Sequence, residues 1–371
     1  MTNLTVRVIS RAEHAAWVES RASVSFLQTP EWADVKREWR AESLGWFDGE
    51  RIVGAGLVLY RAAPVIKKWL AYMPEGPDID WFDEAGYGLT AWLTPLIEHA
   101  RAQGAFSLKI GVPVVASTWS AETIKNAIGV AARLKDVVPD AVDDRAGAVR
   151  AALKSGGWKQ KSVDAGFGDV QPRYVYTVSV AGKSDDELLA GFNQLWRRNL
   201  KKAEKAGVSV RQGNRADLAA FHAVYLETAA RDGFTPRPLG YFERYWDALS
   251  VQTDRVRLYL AEVDGEVAAS TLWVRVGTHA WYSYGASTTK HRDARPSNAI
   301  QWAMLRAARD AGCTTYDLRG ISDTLNEADP LFGLIRFKLG IGGQAVEYVG
   351  EHDYAIVKIW ATLFEFYLSR R

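Results

Sequence analysis

The chain has 371 residues, of which 48% are hydrophobic and 24% charged, and its formal net charge is +2. Such a composition belongs to a folded chain rather than a disordered one, and the length exceeds what one core usually holds, so two domains are expected. The near-neutral balance excludes a global field for polyanions, which leaves local basic patches, and the lone cysteine, Cys313, excludes an internal disulfide.

In chain order, the N-terminal MTNLTVRVISRAEH is too polar for a signal peptide, and no run of about 18 apolar residues follows that would span a bilayer. A cytoplasmic protein without a transmembrane segment is the expectation. An aromatic-rich helical stretch, PEWADVKREW, precedes WFDGERIVGAGLVLYR (46–61), where Asp-Gly between apolar runs signals a hairpin. The helix of TPLIEHARAQG stops at Gly104 and leads into the strand AFSLKI; Pro95 places the start of that helix close by.

The same order recurs in the second half. LGYFERYWDAL is followed by the Asp-Gly hairpin EVDGEVAASTLWVRV (262–276), then by NAIQWAMLRAARDAG, whose Ile300, Ala303, Met304, Ala307, Ala308 and Ala311 form one apolar face before Gly312, then by the strand CTTYDL. A duplicated α/β (mixed α+β) unit follows: one domain over 1–168, a second over 169–351, the boundary in the glycine-containing DAGFGDVQ and a ligand cleft between them. The tail 352–371 carries Ile356, Ile359, Trp360, Leu363 and Tyr367 at helical spacing. We read that stripe as docking onto the first domain, the alternative being peripheral contact with a membrane surface.

Four segments bear on chemistry. WRRNLKKAEKAG sets Arg197, Lys201 and Lys205 in one helical row and Arg198 with Lys202 in the next, which suits tRNA or phosphate contacts or simply a solvated face. HRDARPSN (291–298) has the spacing of a kinase catalytic loop, but the glycine-rich loop, the V-A-I-K strand and the D-F-G that a kinase needs do not accompany it; it reads as a loop and helix start with Asn298 as N-cap. In YDLRGI, Asp317 is either a general base or a strand-end carboxylate bonded to nearby backbone N–H groups. In FGLIRFKLGIGGQAVEYVGEHD (332–353), Lys338 lies between Phe337 and Ile341 ahead of Gly340, Gly342 and Gly343. An ammonium in apolar surroundings stabilises developing negative charge, and glycines let backbone approach a ligand; the plain alternative is an edge-strand lysine whose head reaches solvent.

FLQTPEWADVK (26–36), YMPEGPDID (72–80), VQPRYVYTV (170–178), WRRNLKKAEKAGV (196–208), FTPRPLGYF (234–242), WYSYGAS (281–287), YDLRGI (316–321) and the closing FK-x-G-x-G segment occur in that order over nearly the whole chain. In this ordered series the chain resembles the Fem family (FemABX) of peptidoglycan interpeptide-bridge aminoacyltransferases. The resemblance implies two tandem acetyltransferase-like (GNAT-like) domains and transfer of an amino acid from aminoacyl-tRNA, as co-substrate, to an amine of UDP-MurNAc-pentapeptide or lipid II. No further cofactor and no metal are implied, and a monomer is expected. No sustained heptads occur, so the helical arm that some members insert is not expected.

Residue by residue, the resemblance implies that Lys338 stabilises the oxyanion and that the Phe337 carbonyl partners the attacking amine. Lys36, Thr235, Arg237, Tyr241 and Tyr284 match positions that hold the precursor, where a forked guanidinium and a point-charge ammonium suit a pyrophosphate. Arg231 is a further phosphate candidate. Many members carry Asp-Pro after the first-domain strand; here LKIGVPV has Gly111 instead. Two alternatives stand beside this reading: a CoA-dependent N-acyltransferase, whose Q/R-x-x-G-x-G/A turn fails here because Phe337 stands at its key position, and a non-catalytic module that binds tRNA or precursor.

Overall fold

The computed structural model describes residues 4–63, 68–160 and 169–368, with side chains to 364. The chain opens with β1 (Thr5–Val8), α1 (Arg11–Ser20), α2 (Trp32–Val35), β2 (Arg40–Asp48), β3 (Arg51–Ala62), β4 (Trp69–Met73), α3 (Leu89–Ala102) and β5 (Ala105–Ser120). There follow α4 (Ala121–Ala127), β6 (Ala141–Val142), α5 (Asp144–Ser155), β7 (Tyr174–Ser179), α6 (Asp185–Gly191), α7 (Gln194–Lys205), β8 (Ser209–Gly213), α8 (Leu218–Asp232) and α9 (Leu239–Leu249). The chain ends with β9 (Val256–Val263), β10 (Glu266–Val276), β11 (His279–Ser287), α10 (Pro296–Asp310), β12 (Thr315–Gly320), α11 (Phe332–Leu339), β13 (Gln344–Ala355) and α12 (Lys358–Leu368).

Two compact units result: residues 1–118, 139–174 and 346–371 form the first, and 119–138 with 175–345 the second. An uninterrupted first domain to residue 168 differs from this division. Residues 119–138 join the second unit because its backbone takes their hydrogen bonds, Ala121 N donating to the Gly343 carbonyl at 3.0 Å and Leu134 N to that of Asp323 at 2.7 Å. The expected boundary stretch lies partly at 161–168, outside the described residues.

The first unit has strand order β1-β2-β3-β4-β5-β13, with β6 on β5. Strands β2, β3 and β4 are antiparallel, and α3 crosses back so that β5 runs parallel to β4. Gly49 at φ +60° makes the tight β2–β3 turn. Trp46, Trp92, Leu44 and Leu96 lead the core, and the Trp46 indole donates to the Trp92 carbonyl at 2.7 Å. Pro95 sits inside α3 rather than near its start, because Leu89, Trp92 and Leu93 are buried and carry the helix back by more than a turn. PEWADVKREW forms only the single turn α2.

The second unit repeats the scheme with the order β7-β12-β11-β10-β9-β8. Strands β9, β10 and β11 are antiparallel, α10 crosses over, and β12 pairs parallel with β11. Asp264 and Gly265, both at positive φ, make the β9–β10 turn. The periodicity of α10 buries Ile300, Met304, Leu305 and Ala308.

Helix α12 packs on the first unit through Trp360, Ala361 and Phe364, with Val357 preceding them, against Ala63, Leu70 and Phe106. The docked face keeps only part of the stripe expected from spacing: Ile356 and Trp360 pack on the first unit, whereas Ile359 and Leu363 point outward, at 67% and 50% exposure. The side chain of Tyr367 lies outside the described residues. Among the described residues no helix is long and apolar enough to cross a membrane.

Candidate functional site

Lys338 lies in the last turn of α11, not on a strand edge. Just ahead of the helix the Asp329 side chain accepts from Leu331 N at 2.8 Å. The helix stops at the glycine-rich run, where each glycine has a packing reason. A Cβ on Gly340 would fall 1.8 Å from the Trp196 indole, one on Gly342 2.5 Å from the Gly191 carbonyl, and one on Gly343 2.2 Å from the Thr177 carbonyl. These glycines thus admit the protein's own backbone and a tryptophan, which corrects the expectation that they open space for a ligand.

The side chain of Lys338 runs inward and is 3% exposed. Its Nζ donates to the carbonyls of Gly320 at 2.6 Å and Arg319 at 3.2 Å. Burial pulls its pKa down to about 7, with nearby Asp317 opposing that shift and Arg319 adding to it. An ammonium has three N–H donors; the two carbonyls take two of them. The Phe337 carbonyl is differently placed than expected. It accepts from the Trp196 indole N–H at 2.9 Å and from Gly340 N at 3.2 Å, so both lone pairs are engaged and no direction remains for an attacking amine.

Asp317 is 2% exposed. One carboxylate oxygen accepts from Arg319 N at 2.5 Å and the other meets His279 Nε2 at 3.4 Å. Burial raises its pKa, but the His279 contact, Arg319 and the backbone hydrogen bond outweigh that and hold it below the usual range. The geometry is that of the bonded strand-end carboxylate.

The positions singled out in FTPRPLGYF and WYSYGAS come together. The hydroxyls of Tyr241 and Tyr284 lie 2.9 Å apart, and the guanidinium of Arg237 sits 4.5 Å from the Tyr241 ring centre. Two sequence features build this. Pro236 and Pro238 flank Arg237 just ahead of α9, and the Arg237 carbonyl meets His222 Nε2 at 3.0 Å. In β11, the pairing with β10 slips opposite Ser270–Leu272, leaving Tyr284 in a bulge at φ +52°. Tyr225, Phe242 and Tyr245 pack edge-on around its ring. Burial and the partner hydroxyl raise the pKa of Tyr241 well above its ordinary value, so it stays a neutral hydrogen-bonding group. Thr235 is exposed in the same loop. Arg231 is committed to Asp232 at 2.9 Å and to the Ser287 carbonyl at 2.8 Å.

All five basic residues of α7, Arg197, Arg198, Lys201, Lys202 and Lys205, are at least partly exposed. Asn193 caps the helix by accepting from Trp196 N at 2.9 Å, and Lys202 and Lys205 in the last turn favour its negative end. Between α7 and α10 runs a groove of about 570 Å³, lined by Arg197, Lys201, Leu200, Trp302 and Arg306 among others. Asn298 is not the cap of α10. Arg295 holds that place and Pro296 takes the first helical position, where its missing N–H costs nothing, so Asn298 falls two residues further in.

In the first unit, Lys36 ends α2, with its Nζ 5.9 Å from the Trp32 ring centre. Gly111 has a steric reason: a Cβ there would fall 2.6 Å from Glu75 N, so no acidic side chain fits while Glu75 takes its observed path.

The FemAB family pattern matches residues 9–267 and 262–367, almost the full length. The chain belongs to the FemAB family. Among curated relatives, it is similar to the lipid II:glycine glycyltransferases of Staphylococcus epidermidis, 25% identical over 412 residues, and of Staphylococcus aureus, 25% identical over 417 residues; each match covers 94% of this chain and 92% of the relative. Among solved structures, FemX superposes with a TM-score of 0.80 at 24% identity, covering 97% of this chain and 99% of that one. A tandem GNAT protein from the clavulanic acid biosynthesis pathway has a TM-score of 0.53 at 14% identity, over 95% and 98% of the two chains. At these identities the structural likeness establishes the fold, two tandem GNAT-like units.

Sequence reasoning missed several residues around Lys338 in this FemAB-family chain: Trp196, Arg319, Gly320 and His279. Trp196 had a signal, as an aromatic residue just ahead of the basic rows of α7. His279 had none, since it meets Asp317 only through the parallel pairing of β11 with β12.

Proposed function

We propose that this chain is an aminoacyltransferase that moves an amino acid from aminoacyl-tRNA to an amine of a peptidoglycan precursor, UDP-MurNAc-pentapeptide or lipid II, in building the interpeptide bridge. The observation that carries this reading is Lys338, a buried ammonium gripped by two carbonyls with one N–H to spare, in a family whose relatives are named as transferring glycine to lipid II. The amine attacks the ester carbonyl and forms a tetrahedral oxyanion. The third N–H of Lys338 meets that charge where little water competes; the ester C–O bond then breaks, and the tRNA hydroxyl leaves with the proton that the attacking amine gives up. One such donor is worth about 10² to 10³ in rate.

Arg237, Tyr241, Tyr284 and Thr235 hold the precursor in this reading: the guanidinium takes phosphate charge and the tyrosine pair offers its hydroxyls. The exposed rows of α7 take the tRNA backbone. The donor is already activated as an ester, so the proposed chemistry requires neither ATP nor metal. The test is incubation with a fully charged tRNA pool and each acceptor separately, with acetyl-CoA as a competing donor, followed by mass analysis. A mass gain of one or more amino-acid residues on either acceptor supports the reading. Acetylation, or no transfer from tRNA by folded protein, contradicts it.

A further inference from the structure

Strand β12 is regular as far as Asp317 and then breaks. Its pairing with β7 runs from Thr315 to Asp317, slips, and resumes at Gly320 opposite Val175. Inside the slip Arg319 adopts φ +63°, a left-handed conformation that a residue with a Cβ enters only when its surroundings impose it. A neighbouring carboxylate supplies the constraint. That of Asp317 accepts the Arg319 N–H, closing a two-residue side-chain turn. The same carboxylate is steadied by His279, whose ring stacks on Trp281 at 4.1 Å and 18°. Turned this way, the carbonyls of Arg319 and Gly320 both meet Lys338 Nζ.

We propose that Asp317 is a positioning residue for the Lys338-dependent step: its buried carboxylate locks residue 319 in the left-handed conformation that aims two backbone carbonyls at the ammonium, and it serves as the counter-charge of that ammonium. This rests on the transferase reading for its kinetic test but not for its spectroscopic one. Asp317 acts through the backbone and through charge. One of its oxygens accepts from Arg319 N and the other meets His279, and the proposal gives it this positioning role rather than that of the base. Of the charged groups that bear on Lys338, Asp317 raises its proton affinity and Arg319 lowers it.

The test compares wild type with Asp317→Asn, which keeps an acceptor oxygen for Arg319 N but removes the charge, and with Asp317→Ala, which removes both. In Asp317→Asn the alkaline limb of kcat/KM moves to lower pH, and a one-unit move lowers the rate at pH 8 by about tenfold. KM for the precursor is unchanged, which separates the effect from general damage to the site. Asp317→Ala loses more, and Arg319→Gly added to it restores part of the loss, because glycine enters the left-handed region unaided. Independently of activity, ¹³Cε-lysine NMR, with the Lys338 signal identified by its absence in Lys338→Arg, follows the titration directly. The expected midpoint is near 7 in wild type and lower in Asp317→Asn. Equal midpoints and superimposable pH profiles in the two proteins overturn the proposal. If wild type transfers nothing, the functional reading fails, and the titration still decides the role of Asp317.

Discussion

Replacing Lys338 by Met keeps length and apolar bulk but removes the charge. Burial lowers the lysine from 10.5 to about 7, and at about 1.4 kcal/mol for each tenfold in proton affinity, holding the charged form in the fold costs about 5 kcal/mol. Below pH 7 the lysine is protonated in folded and unfolded chains alike, and the whole cost is present. Between 7 and 10.5 the unfolded chain binds the proton and the folded chain does not, so stability rises with pH through that window and the cost is gone above it. Lys338→Met removes this dependence. The two carbonyls it leaves without their donor cost about 1 to 3 kcal/mol each, an offset that does not vary with pH in this window. The assay is urea unfolding of both proteins at intervals from pH 6 to 10. Wild type minus variant cancels the other titrating groups and is expected to climb by several kcal/mol across the range. A difference that stays flat would rule out the depressed lysine, because one with an ordinary pKa gives no such slope.

Three further outcomes follow from the same geometry. Gly340→Ala forces a methyl into the Trp196 indole and is expected to destabilise by about 1 to 3 kcal/mol, read as a lower urea midpoint with an unchanged slope. Tyr241→Phe and Tyr284→Phe each break the hydroxyl pair; in a double-mutant cycle on precursor KM they are expected to couple by about 0.5 to 3 kcal/mol, and strict additivity would mean that the pair does not act as one group. Reversing the charges of Arg197, Lys201 and Lys205 together is expected to weaken aminoacyl-tRNA binding and flatten its salt dependence by about 0.7 to 0.9 for each phosphate no longer neutralised, measured by filter binding from about 50 to 300 mM salt, while precursor affinity stays constant.

The duplicated order of hairpin, crossover helix and strand was legible because it rests on local signals. Asp-Gly turns, glycine stops and the apolar face of α10 each act over a few residues. What spacing could not show was which neighbour supplies a partner. Ile359 and Leu363 share a helical stripe with Trp360, yet the docked face turns on Ala361, a residue small enough to let α12 approach Phe106. Pro95 argued for a late helix start, and the buried Trp92 and Leu93 overrode it. Among the candidate site residues, Lys338, Arg237, Tyr241 and Tyr284 were singled out through resemblance, and the structure brings the last three together. The device around Lys338 was not legible, since it depends on a slipped register, one left-handed residue and a histidine from the adjacent strand, none of which has a signature within a few residues of the lysine. The glycines beside it looked like ligand space because an isolated segment does not show Trp196 standing over Gly340.

The oxyanion role of Lys338 is tested most directly by transfer of labelled amino acids from charged tRNA to lipid II and to UDP-MurNAc-pentapeptide by wild type, Lys338→Ala and Lys338→Arg, measured as kcat/KM against pH. Wild type is expected to lose rate as pH rises past about 7, Lys338→Ala to fall by about 10² to 10³ with KM little changed, and Lys338→Arg, where it transfers at all, to lack the alkaline limb because a guanidinium stays charged. Transfer by Lys338→Ala at the wild-type rate would contradict that role.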